Sequence, residues 1–499
     1  MRRAATHLAL AATVVLAVAC SGGSAPARAP FRAVWLAADS VPLDRAEANR
    51  LAAAGAGELF LEVGRVAWDG VRAEIVGVPL RPLARETPAT LVVGGGWSAV
   101  GEASRQLADA WRDRLDSLSL AARAAGAVPV GVHFQLDVEG DVEALAATLR
   151  RLRRSLRGRL FVSVALDLER LDEASALSLA AASDFVLADV FGQPPGSPDD
   201  PRRWDLAPTR ERLARLERLG SPYGVVAWTL GGAELRRRGG ETMPIRGGLP
   251  LGRLLRSPRF VVRPGSVFAG IDRQVFALEA REATALGPWT LERGDVVWAA
   301  RPTTHDLEDV LHLLAEPASG RRLGVVLRAL PAVGDTVSLA AANLAAALEP
   351  GDAAPDLTVS LVAAGGARGR TRLRVRLAND NAETTELGGG EWNYVQLEFP
   401  AGALGAVAPG DFVGWDQLWQ GRERRTLRAL RQADTLRLFA PYVGAGETLE
   451  SGTIELRGRG GEAPAVRTSA RFFLPGGREH VLAEAPATWI VGAGEGGSE

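Results

Sequence analysis

From Phe31 to about Glu349 the chain repeats one pattern, a short apolar run followed by an amphipathic helix. Strands are expected at Phe31 to Ala37, Glu58 to Val63, Thr90 to Val93, Val128 to Val138, Leu160 to Leu168, Phe185 to Phe191, Tyr223 to Thr229, Val297 to Ala300 and Leu323 to Leu330. Strands alternating with helices build a parallel sheet under helical cover. Their number closes a (β/α)8 barrel with one strand or hairpin to spare. In the helix from Asp141 to Gly158, Leu145, Leu149, Leu152 and Leu156 share one face, Asp141 is placed to cap the start and Gly158 the end. Its other face carries Arg150, Arg151, Arg153, Arg154 and Arg157, read as a solvated outer surface.

After Pro350 the period changes to two, as in Leu357, Val359, Leu361 and then Leu373, Val375, Leu377 before the turn residues Asn379-Asp380-Asn381. A β-sandwich over 350–490 follows, with 491–499 as a disordered tail. Its aromatic residues Trp392, Tyr394, Trp415 and Trp419 are expected to pack on the sheets, a sugar-stacking platform being the alternative.

One barrel strand obeys opposite rules on its two faces. Val132, Phe134, Leu136 and Val138 are apolar, whereas Gly131, His133, Gln135, Asp137 and Glu139 are small or polar. Side chains alternate across a strand, so one face is built for burial and the other carries Gln, Asp and Glu in a row. Carboxylates are costly to bury unpaired, so the row lines a wet pocket or is paired. In a (β/α)8 barrel, chemistry collects where the strands end at the C-terminal face. Glu62 in FLEVG, Asp167 after RLFVSVAL, Asp189 in LADVF, Arg328 in VVLRALP and Asp39 all fall near such ends. A cluster of Glu62, Gln135, Asp137, Glu139, Asp167, Asp189 and Arg328 around one mouth is therefore expected. Structural ion pairs centred on Arg328 are the alternative. Trp228 and Trp298, at or near strand ends, and the Pro- and Asp-rich segment from Gly192 to Asp205 are candidates to shape that mouth.

Composition narrows the chemistry. The chain has no lysine, which removes Schiff-base and P-loop chemistry, and Cys20 is its only cysteine. After residue 20, histidine is limited to His133, His305, His312 and His480, so no metal centre is expected, and no other cofactor is called for. Carboxylates are the main chemical resource left. A formal net charge of -1 gives no reason to expect nucleic acid.

The start, MRRAATHLALAATVVLAVAC, has a basic n-region, an apolar h-region and small residues before Cys20, the pattern of a secretory signal over 1–20. Its ending, Leu16-Ala-Val-Ala-Cys20, resembles the bacterial lipobox, which implies lipidation of Cys20 and anchoring in the bacterial cell envelope. Residues 21–30 are rich in Ser, Gly, Ala and Pro and are expected to be a flexible tether. Ser21 after the lipidated cysteine is compatible with sorting to the outer membrane.

The segments FRAVWLA, GVHFQLDVE, RLFVSVALDL and VVLRALP resemble the bacterial family called domain of unknown function 3142, predicted lipoproteins with a barrel-like domain. A more distant likeness is to chitinase-type glycoside hydrolases, whose fourth barrel strand ends Asp-x-Asp-x-Glu. That likeness implies that Glu139 is a general acid and that Asp137 orients and stabilises a substrate-assisted intermediate. Gln135 stands where the motif has its first Asp, and no tyrosine adjoins Asp189. Asp137 and Glu139 are alternate residues of one strand face, about 6.5 to 7 Å apart at Cβ, close enough for coupled titration. These departures count against N-acetyl-directed catalysis, and if hydrolysis occurs, another acid such as Asp167, Asp189 or Glu62 is left to serve as nucleophile or base. Two readings follow: a carbohydrate hydrolase using these acids, or a non-catalytic module that binds glycan or another envelope component at the same mouth.

Overall fold

In the computed structural model, residues 28–68, 73–98, 105–190, 206–229, 231–245, 248–262, 274–315, 320–332, 334–349, 356–367, 370–386, 393–419, 422–423, 432–458, 464–475, 478–486 and 489–490 are described. Eight parallel strands close on themselves: β1 (Phe31–Leu36), β2 (Glu58–Trp68), β3 (Thr87–Trp97), β4 (Ala127–Val138), β5 (Phe161–Leu166), β6 (Phe185–Asp189), β7 (Tyr223–Trp228) and β8 (Arg322–Arg328). β1 pairs with both β2 and β8, which completes the barrel. Helices α1 (Arg45–Ala53), α2 (Arg105–Ala124), α3 (Val142–Leu156), α4 (Glu173–Ala182), α5 (Leu206–Arg218), α6 (Thr304–Ala315) and α7 (Ala341–Leu348) accompany the strands. As expected, Asp141 caps α3 by accepting the Ala144 N–H at 3.0 Å, and Gly158 follows at φ +78°.

The alternation divides the strands into two buried layers. Outward-facing Val132, Phe134 and Leu136 join Leu145, Leu149 and Leu152 of α3 in the main core, and Trp111 of α2 stacks on Phe134 with ring centroids 5.2 Å apart. Inward-facing Ala33, Trp35, Phe60, Phe185, Leu187, Val226 and Val326 fill the barrel's lower interior. Filling of this kind makes the barrel a packed core and not a pore. Gly324 is required there, because a Cβ on it would lie 2.0 Å from the Phe31 carbonyl oxygen.

Two features depart from the sequence expectation. The strand containing Val297 to Ala300 is not a barrel strand; it runs Val296–Arg301 within a five-stranded antiparallel sheet inserted between β7 and α6. Arg28, placed in the tether, also belongs to the fold, with a side chain only 6% exposed. Beyond α7, two six-stranded sheets enclose a separate core that includes Leu361, Leu373, Val375, Leu397, Leu438 and Phe472, the expected sandwich. Within it Tyr394 packs edge-on against Phe439 and under Arg437, and Trp415 packs against the core, whereas Trp392 lies outside the described residues.

Candidate functional site at the barrel mouth

β4 carries its polar row from the packed interior out to solvent. His133 is fully buried, Gln135 is half-buried, and Asp137 is exposed. Burial pushes the His133 imidazole down to about 3, against the Gln135 hydrogen bond and helped by the cations of Arg328 and Arg28. The ring is therefore neutral at pH 7, with one nitrogen donating and one accepting. With Nε2 donating to Gln135 Oε1 at 3.3 Å, Nδ1 is left to accept from Ser163 Oγ at 3.1 Å. A buried histidine thus fixes the orientation of Gln135. Edge contacts from Trp35 and Phe60, with centroids 5.8 and 5.7 Å away, hold the ring.

Glu139 follows the last residue of β4, is exposed, and donates its backbone N–H to the Trp97 carbonyl at 2.9 Å. Across the sheet, Gly94 and Gly96 of β3 sit in register with Gln135 and Asp137. A Cβ on Gly96 would meet nothing within 4 Å, so the wall beside Asp137 is open.

Arg328, the last residue of β8, occupies the middle of the mouth. Its guanidinium lies 4.4 Å from the Trp35 ring centroid and 4.8 Å from that of Trp228. Burial lowers its pKa, opposed by the charges of Asp189, Glu62 and Asp137 in that order. Among the described residues none forms an ion pair or side-chain hydrogen bond with this guanidinium. Arginine stays charged even so, and its five N–H donors have no acceptor in the form of a bonded carboxylate.

No family model matches the chain, and no curated protein does. Solved structures overlap it loosely. A chitinase from Chromobacterium violaceum matches at 16% identity and TM-score 0.40, over 64% of this chain and 98% of that one. The spore cortex-lytic enzyme SleL of Bacillus megaterium matches at 15% and 0.37, over 62% and 72%. A glycoside hydrolase family 30 subfamily 8 xylanase from Clostridium acetobutylicum matches at 10% and 0.32, over 87% and 97%. Overlaps this loose bring no activity to the chain; the barrel rests on its own strand pairing.

The predicted acids divide into two groups. Asp167 lies past the end of β5, is exposed, and accepts the N–H groups of Glu169 and Arg170 at 3.0 and 3.2 Å. It organises a turn at the exit of the strand. Glu62 does reach the mouth but accepts the Ala38 N–H at 3.1 Å and pairs with Arg65 at 2.9 Å. Asp189 accepts a hydrogen bond from Trp228 Nε1, which ties β6 to β7. Of these acids, Asp137 and Glu139 are exposed with no such side-chain commitment among the described residues.

Trp228 ends β7, with the Arg328 guanidinium 4.8 Å from its ring centroid. Trp298 is not on the barrel wall; it belongs to the inserted sheet, where Arg236 lies 5.0 Å from its ring centroid. Asp39 borders a separate cavity of about 180 Å³ with Asp335 and Ser338. Cys20 and the segment 192–205 lie outside the described residues. Among the described residues, no group of three or more His, Cys, Asp or Glu side chains is arranged to hold a metal.

The sequence reading missed Trp35 and the role of His133. Both signals were present: Trp35 shares the inward parity of Phe31 and Ala33, and His133 shares that of Gln135 and Asp137.

Proposed function

We propose that this chain is a lipid-anchored protein of the bacterial envelope whose barrel mouth hydrolyses carbohydrate, with Glu139 as the acid and Asp137 as its partner. The carrying observation is that these two carboxylates stand exposed at the end of one strand, beside the open wall at Gly96. Glu139 gives its proton to the glycosidic oxygen as the bond to the anomeric carbon breaks. Ordinary retaining or inverting hydrolysis then needs a second carboxylate across the cleft as nucleophile or base. Glu62, Asp167 and Asp189 are each engaged elsewhere, which favours a substrate that brings its own nucleophile. A 2-acetamido sugar does so through its carbonyl oxygen, and Asp137 is positioned to orient the acetamido N–H. Arg328, floored and roofed by Trp35 and Trp228, supplies donors for sugar hydroxyls.

The same commitments support a second reading, in which the mouth binds glycan without cleaving it. Release of reducing ends from 2-acetamido and plain oligosaccharides separates the two. Turnover confined to 2-acetamido sugars supports hydrolysis as described; binding of both classes with no turnover supports the second reading.

A further inference from the structure

The end of the barrel opposite the mouth holds a feature that carbohydrate chemistry does not use. Arg150, Arg153, Arg154, Arg157 and Arg159 line a cavity of about 590 Å³ together with Phe161, and Asp184 is the one carboxylate in its lining. Arg153 pairs with Asp184 at 2.7 Å, while Arg159 and Arg150 lean on the half-buried Asp116 and the exposed Glu143 at 3.2 and 3.7 Å. The last turn of α3 favours cations, because the helix dipole is negative there. That effect accounts for one or two arginines, whereas the lining of the hollow carries five against a single carboxylate.

The chain enters the fold beside this hollow. The Arg28 guanidinium lies 5.8 Å from the ring of Phe161, the same ring that lines the cavity. Between Cys20 and Arg28 there are seven residues, Ser21 to Ala27. At about 3.3 to 3.6 Å per residue the eight steps from Cys20 to Arg28 span at most ~29 Å. A lipid on Cys20 therefore holds the N-terminal face of the barrel within that distance of the bilayer.

We infer that the arginine-lined cavity docks on the membrane and takes the phosphate of an anionic phospholipid headgroup, which turns the barrel mouth away from the bilayer. The inference rests on the lipid anchor proposed above. Arginine suits the role because its fork binds phosphate oxygens bidentately.

The test uses the full chain, processed in cells and inserted into phosphatidylcholine vesicles with or without phosphatidylglycerol. Phenylglyoxal then modifies accessible arginines, which are mapped by mass spectrometry. Arg65, whose side chain is 65% exposed, serves as the reference on the mouth side. The expected result is labelling of Arg154 and Arg157 reduced about fivefold or more by phosphatidylglycerol, with Arg65 unchanged. Equal labelling of the cluster in both vesicles, in protein that floats with them, overturns the docking while leaving the anchor intact. Equal protection by free inorganic phosphate over phosphatidylcholine alone assigns the cavity to a soluble anion and also overturns it. Protein that fails to float lacks the anchor, and both the anchor and the docking fall.

Discussion

Two arginines stand at the two ends of the barrel axis, and their surroundings differ in one respect. Arg28, at the N-terminal end, stacks on Phe31 and Phe185 with its guanidinium 4.1 and 4.7 Å from their ring centroids. It also pairs with Glu58 and donates to Thr90 Oγ1 at 3.4 Å. Arg328, at the mouth, has the same aromatic company in Trp35 and Trp228, but carboxylates near it are held back by other bonds. A cation with its partner in place closes an end; a cation with acceptors in view and none bonded leaves an end ready for a ligand. The acids show the same split, since Glu58 is spent on Arg28 while Asp137 and Glu139 face solvent.

The largest effect expected from breaking this contrast is in Arg28→Met. Removing the cation strands Glu58, whose side chain is only 14% exposed, so unfolding in urea should show a loss of about 3 to 5 kcal/mol. An unchanged midpoint would place Arg28 outside the barrel's support. Next comes His133→Gln. The folded-state pKa of about 3 lies below the ordinary 6.5, so below pH 6.5 the unfolded chain takes up a proton that the folded chain refuses. Stability from this group is complete above pH 6.5 and is lost as pH falls toward 3, by about 1.4 kcal/mol per pH unit. The variant should therefore lose about 2 kcal/mol less than the parent between pH 7 and pH 5. Parallel pH slopes would contradict a buried neutral imidazole. The smallest stability change belongs to Arg328→Met, within about 1 kcal/mol, because no ion pair is broken and the stem still packs between the tryptophans. Its glycan affinity, measured by calorimetry, should fall about tenfold or more.

The barrel was readable because its strands carry two distinct faces, and the β4 row emerged from parity alone. The strand Val296–Arg301 misled for a physical reason. It is apolar and is followed within a few residues by α6, which is what a barrel unit looks like in one dimension. Its antiparallel partners, Gln274–Ala280 and Gly232–Arg236, are visible only in space. Parity did not reveal the turn role of Asp167, because β5 stops at Leu166 and the carboxylate accepts N–H groups of the turn that follows. The commitment of Asp189 depends on Trp228, 39 residues later, and no local pattern encodes it.

The proposed chemistry depends on Asp137 and Glu139 being the uncommitted acids of the mouth. The most direct measurement is turnover and glycan affinity of Glu139→Gln beside the parent, on a 2-acetamido oligosaccharide. Loss of general-acid catalysis predicts turnover reduced about 10²- to 10⁴-fold with affinity nearly unchanged. Turnover equal to the parent's would contradict it and move the chemistry to another residue.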